Sequence, residues 1–200
     1  MNYTDIPHQT EERKNKPSRF TKSAFEVFEA FIRAVIIVFL ILTFCFKICS
    51  VVGSSMNNTL IEGERLLVQS IAYTPNEGDI IVFHQTGTLN EPVVKRVIAT
   101  GNKWVRIDYD NKLLYVSSDE TFDDSEIVDE SLYRYLNTGS YNAKGVYTVF
   151  VPEGFLFVLG DNRNGSLDSR FSAIGLVDER RVLGKVILRF SPFDKFGTVN

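Results

Sequence analysis

Between Ala34 and Phe46 the chain reads AVIIVFLILTFCF, thirteen residues with one threonine and no charge, bounded by Arg33 and Lys47. At ~1.5 Å per residue a helix of that length covers roughly 20 Å, short of the ~30 Å hydrocarbon core of a bilayer. Apolar residues continue on both sides, however: Phe28, Ala30, Phe31 and Ile32 before the run, Ile48, Val51 and Val52 after it. Arg33 and Lys47 carry stems long enough to lift their charged heads to opposite interfaces. The segment 28–50 is therefore expected to be a retained transmembrane anchor. Two rivals are a cleaved secretory signal, with Val51 and Gly53 at the cut, and the core helix of a soluble protein. A cut near Gly53 would make a leader much longer than the usual 15–30 residues.

Ahead of the anchor, residues 1–27 form the expected cytoplasmic tail, with Pro7 and Pro17 in its loose first 22 residues. Arg13, Lys14, Lys16, Arg19 and Lys22 lie there, and basic residues beside a span are retained on the cytoplasmic side. That topology places residues 51–200 outside the cytoplasm on a single-pass cell-membrane protein. Cys45 and Cys49 are the only cysteines, so the remainder after Ser50 holds no disulfide and takes its stability from its core. A domain of that size buries roughly two-thirds of its unfolded surface. The net charge of −3 offers no footprint for nucleic acid.

Past Leu60 the pattern becomes short runs rich in Val, Ile, Phe and Tyr, separated by turn residues: RLLVQSIAY, GDIIVFHQ, PVVKRVIAT, KWVRIDY, KLLYVSS, GVYTVFVP, GFLFVLG and RVLGKVILRF. Nothing after residue 53 shows a helical period of ten residues or more. The expectation is a mostly β domain of antiparallel sheets. Seven acidic residues fall between Asp119 and Glu130, and the stretch 117–144 is expected to be a solvated insertion.

Chemistry enters with PVVKRVIAT. Side chains alternate along a strand, so Val93, Lys95 and Val97 share one face and Val94, Arg96 and Ile98 the other. Each face is apolar apart from one cation, and a buried cation needs a partner or a reason to be neutral. Arginine stays charged; a desolvated lysine loses its proton more easily and can serve as a general base near neutral pH. A serine hydroxyl needs such a base, and Ser54 and Ser55 in VVGSSMNNTL follow the apolar run directly. His8 lies in the tail and His84 at a strand end, neither in surroundings suited to a catalytic triad. Near the carboxyl end, FLFVLGDNRNGSLDSR runs from an apolar strand into a turn whose short polar side chains fix a rigid loop.

Taken in order, the anchor, GSSMNNTL, GDIIVF, VVKRVIA and GDNRNGSLDSR resemble the type I signal peptidases, membrane-anchored serine proteases that remove signal peptides from exported proteins. The resemblance covers most of the chain. It implies a β-rich catalytic domain of signal-peptidase type, Ser55 as nucleophile, Lys95 as general base, and Ser166 as the hydroxyl that orients the amine. It further implies that Asp161 pairs with Arg96, that Asp168 and Arg170 form a structural ion pair, and that the Ser55 backbone N–H contributes to the oxyanion hole. Where some relatives add a serine donor, this chain has Gly53. Val51, Met56, Leu60 and Val94 are the implied lining of shallow pockets for small residues at the first and third positions before the cut. No metal and no cofactor is implied. The partners are preproteins and membrane lipid, with no nucleic acid. Departures are Asn58 in a common proline position, EGER in place of a Gly-Asp pair, and IATGNKW without Pro-Gly-Asp. Alternative readings are a peptidase-like assembly factor that binds pilin or other exported subunits without cutting them, and a self-cleaving repressor.

Overall fold

The computed structural model describes residues 19–57, 59–85, 92–128 and 144–199. Expectations for residues 1–18, for Asn58 and for 129–143 of the acidic insertion lie outside the described residues. The chain divides into two compact units, Met1–Leu42 and Thr43–Asn200.

A single long helix, α1, runs Arg19–Cys45. It contains Val35, Ile36, Ile37, Val38 and Ile41, β-branched residues that favour strands in water; in hydrocarbon only a helix satisfies every backbone group within one segment. Side chains from Phe25 to Phe44 are all exposed. The 21 residues Phe25–Cys45 are long and apolar enough to cross a membrane. Glu29 and Arg33, one turn apart, form an ion pair on this helix.

Eleven strands follow in the second unit: β1 (Phe46–Ser50), β2 (Arg65–Gln69), β3 (Ile80–His84), β4 (Pro92–Ala99), β5 (Lys103–Asp108), β6 (Leu113–Ser117), β7 (Glu126–Ile127), β8 (Val146–Val151), β9 (Phe155–Leu159), β10 (Val177–Asp178) and β11 (Val182–Ser191). They form a seven-stranded sheet, order β1-β2-β11-β3-β4-β9-β10, and a four-stranded sheet, order β7-β6-β5-β8. Every pairing is antiparallel. Each of the eight expected runs contains a strand, and the only other helical pieces among the described residues are 3-10 turns at Glu179–Arg181 and Phe193–Lys195. Phe46–Ser50 differ from the sequence expectation: all five pair with β2, Phe46 opposite Gln69 and Ser50 opposite Arg65, rather than extending the helix. A short apolar run reads the same in a helix end and in a strand.

Three apolar clusters hold the second unit together. On one face of the large sheet, Leu66, Val68, Ile80, Val82, Val94 and Val186 gather under Val51, Met56 and Leu60 from the loop after β1. Ile81, Phe83, Val97, Leu156, Val158 and Val177 form a second cluster, so β3 is buried on both faces. The third lies between the sheets, where Val105, Ile107, Leu114 and Val116 meet Ile98, Ala99, Phe157 and Leu159. The long strand β11 bulges at Gly184, where a Cβ would come within 2.0 Å of the Gln69 carbonyl oxygen, so only glycine lets β11 lie this close to β2. Phe157 is fully buried in the inter-sheet cluster and touches Tyr147. Phe157→Ala is expected to lower unfolding free energy by about 3–5 kcal/mol, read as a fall in denaturant midpoint at constant slope; a midpoint equal to wild type would remove the inter-sheet core from this account.

Candidate active site

The loop that carries Ser55 is shaped by its backbone before any side chain acts. Gly53 has φ +81°, with no atom within 4 Å of a would-be Cβ, and its left-handed conformation lets the chain reverse after β1. Asn57 N–H donates to the Ser54 carbonyl, and Leu60 N–H to that of Met56. Met56 and Leu60 are 1% and 0% exposed, so they plug this turn into the core and leave Ser55 above it, partly open. Asn162 fixes the turn from the opposite side: its backbone N–H donates to the Ser55 carbonyl and its Nδ2 to the Ser54 carbonyl, both at 3.0 Å.

Lys95 arrives on β4, only 3% exposed, and its Nζ lies 2.8 Å from Ser55 Oγ. It also donates to the Val94 carbonyl at 2.9 Å. Burial pushes the amine down from its ordinary 10.5 to about 8, against the opposing pull of the Asp168 and Asp161 carboxylates. Desolvation wins because it penalises the ammonium directly, whereas each carboxylate is already committed to an arginine.

The neighbouring cation has a different fate. Arg96 makes a two-pronged contact with Asp161, Nε to Oδ1 at 2.9 Å and Nη2 to Oδ2 at 2.8 Å, with both side chains 2% exposed or less. Its Nη1 donates to the Gly78 carbonyl in the turn before β3, and Thr59 Oγ1 donates to Asp161 Oδ2. Asp168 and Arg170 are joined by bonds of 2.7 and 2.8 Å. Asp168 also accepts the Gly160 N–H, and Arg170 donates to the Arg163 carbonyl, so this pair staples the loop between β9 and β10.

Ser166 is buried near Ser55, yet its Oγ has no hydrogen-bond partner. A Cβ on Gly160 would fall 2.2 Å from that Oγ and 2.5 Å from the Ser55 carbonyl oxygen, so glycine is required for the two serines to lie against the end of β9. The bond from Ser166 to the Lys95 amine that the resemblance implies is not made here. Val51, Met56, Leu60 and Val94 all lie in one apolar cluster at 9% exposure or less. His84 is exposed at the end of β3. Sequence reasoning gave no role to Thr59 or Asn162; the only available signals were the four-residue spacing from Ser55 to Thr59 and the density of amides in GDNRN.

The family model for signal peptidase, peptidase S26, matches residues 24–191. The chain belongs to this signal peptidase family. Signal peptidase IB of Staphylococcus aureus is 36% identical over 176 residues, covering 82% of this chain and 87% of the relative. A probable signal peptidase I-2 of Synechocystis is 30% identical over 201 residues, covering 96% of this chain and 84% of that one. Among solved structures, a signal peptidase I from Enterococcus faecalis V583 is 30% identical and matches 57% of this chain and 97% of its own at a TM-score of 0.43. Membership makes the protein a peptidase, hence a hydrolase.

For this signal peptidase the buried amine carries a stability signature. Between pH 8 and 10.5 the unfolded chain keeps the Lys95 proton that the folded chain has released, so the unfolded state binds more protons and stability rises with pH. Wild type is expected to gain up to about 3 kcal/mol relative to Lys95→Met across that window, measured by urea unfolding at a series of pH values. A constant difference between the two proteins would show that the amine titrates alike in both states.

Proposed function

We propose that this signal peptidase is a membrane-anchored serine endopeptidase that cuts exported preproteins with Ser55 as nucleophile and Lys95 as general base. The observation that carries the reading is the 2.8 Å approach of Ser55 Oγ to an amine shut away from water. As the hydroxyl oxygen attacks the scissile carbonyl carbon, its proton passes to the neutral Nζ. The oxyanion that forms accepts from the Ser55 backbone N–H. The resulting ammonium returns its proton to the departing amine nitrogen, the C–N bond breaks, and an ester to Ser55 remains. Water then attacks the ester with the same amine as base, which restores the hydroxyl.

Ser166 is the group suited to orienting the amine. Its hydroxyl is buried beside Ser55 and holds no competing bond, and contacts of this kind commonly tighten only once substrate is bound. The apolar residues Val51, Met56, Leu60 and Val94 back the site as a floor, which suits shallow pockets and small residues at the first and third positions before the cut. The basic residues Arg13, Lys14, Lys16, Arg19 and Lys22 orient the span with its amino terminus inside. The non-cleaving assembly factor is disfavoured by the intact dyad geometry.

The test is cleavage of a preprotein bearing an Ala-x-Ala site by full-length protein in detergent. Ser55→Ala and Lys95→Ala are each expected to abolish product, and the wild-type rate to climb about tenfold per pH unit to a midpoint about pH 8. Full activity in either variant, or a rate flat from pH 6 to 9, overturns the dyad. For topology, protease added outside intact cells is expected to degrade residues 51–200; protection of that domain would reverse the orientation.

A further inference from the structure

Glu64 sits directly before β2, 3% exposed, with its carboxylate turned into the protein. Its surroundings close the base of the loop that holds Ser55. Val51 N–H donates to the Glu64 carbonyl, Gly63 N–H to the Val51 carbonyl, and Glu64 Oε2 accepts the Ile61 N–H at 3.1 Å. Arg189, on β11, meets this carboxylate through Nη1 at 3.1 and 3.3 Å. The same Nη1 donates to the Thr59 carbonyl at 3.2 Å, in the middle of the Ser55 turn.

Thr59 is thereby tied from two directions. Its hydroxyl goes to Asp161, which grips Arg96 next to the Lys95 base; its carbonyl goes to Arg189. Ser55 lies one helical turn earlier, and the Leu60-to-Met56 backbone bond closes that turn. Arg189 is itself held in place. Its Nε donates to the Lys195 carbonyl at 2.8 Å, and its backbone exchanges two bonds with Gly197, while Lys195 Nζ stands 3.6 Å from Glu64. The C-terminal hook after β11 thus braces the guanidinium.

We infer that Arg189 and Glu64 are positioning residues: together they set the height of the Ser55 turn against Lys95, so that the nucleophile stands at proton-transfer distance from its base. The inference rests on the Ser55–Lys95 reading. Asn162 holds the Ser54 and Ser55 carbonyls and Asp161 holds the Thr59 hydroxyl, while the Thr59 carbonyl at the far end of the turn is held by Arg189. Displacement of a nucleophile by about 1 Å costs on the order of a hundredfold in rate. A pair with a purely structural role would contact only the loop base; this one reaches a main-chain oxygen four residues from the nucleophile.

The experiment uses full-length protein in detergent and the Ala-x-Ala preprotein, at a temperature where circular dichroism shows each variant fully folded. Arg189→Met alone would leave the buried carboxylate only the Lys195 ammonium at 3.6 Å, so it is combined with Glu64→Gln. The double variant is expected to lose about tenfold or more in kcat with KM within about twofold, since the dyad and not the substrate pocket is disturbed. Arg189→Lys keeps a counter-ion for Glu64 but lacks the fork needed to hold Thr59 and Lys195 together, and should fall between the double variant and wild type. Wild-type kcat per folded molecule in the double variant overturns the inference, as does a rise in KM at unchanged kcat. Should the double variant fail to fold, Arg189→Lys decides: a lowered kcat supports the clamp and an unchanged one overturns it. A Ser55→Ala control run alongside separates the two levels. Its retained cleavage sinks the dyad itself, whereas a dead Ser55→Ala beside fully active Arg189 variants sinks the clamp alone.

Discussion

The structure depends on taking one amine out of water. Lys95 would be an ammonium at any physiological pH if solvent reached it, and in the proposed reaction an ammonium could not accept the Ser55 proton. Burial on β4 lowers its pKa to about 8, which leaves a usable neutral fraction near neutrality. Several features of the surrounding unit follow from that need. Strand β4 lies between β3 and β9 in the interior of the large sheet, Met56 and Leu60 of the Ser55 loop share an apolar cluster with Val94 of β4, and the loop after β9 bonds that same turn through Asn162.

Two adjacent cations on one buried strand illustrate how side-chain chemistry divides the work. A guanidinium cannot lose its proton, so Arg96 demands a permanent partner and receives both oxygens of Asp161. That demand is useful structurally, because Asp161 also accepts from Thr59 and so links β4 to the Ser55 turn. An ammonium is a point charge with an accessible neutral form, so Lys95 can be left beside hydroxyl and carbonyl oxygens alone. Exchanging the two residues would place a permanent charge against Ser55 and leave Asp161 without its two-pronged partner.

Much of this was legible before any coordinates. Eight β-rich runs give eight strands because alternation and turn residues are local signals, and the charge pattern of PVVKRVIAT announced a buried strand with two cations to explain. The pairing of Arg96 with Asp161 and of Asp168 with Arg170 came from the family resemblance, and the geometry has both. What escaped was non-local or ambiguous. Phe46–Ser50 continue the apolar composition of the helix, and only their partner β2 makes them a strand. Two-residue strands such as β7 and β10 are too short for a periodic signal. Thr59, Asn162, Glu64 and Arg189 carry ordinary polar side chains whose importance arises from partners up to 130 residues away along the chain.

The ion pairs around the site also have an electrostatic consequence beyond rigidity. Asp168 and Asp161 are the two charges that push the Lys95 amine back toward protonation, opposing the burial that lowers its pKa. Left bare in a dry interior, two carboxylates would hold the proton on Nζ. Each is instead matched by a guanidinium through two parallel bonds, Asp161 by Arg96 and Asp168 by Arg170, and burial of the amine outweighs their remaining pull. Their carboxylates supply anchoring bonds to Thr59 and to the Gly160 N–H while the Lys95 amine stays well below its ordinary 10.5. The same two carboxylates thus anchor the loops around Ser55 and raise the Lys95 amine only part of the way back toward its ordinary value.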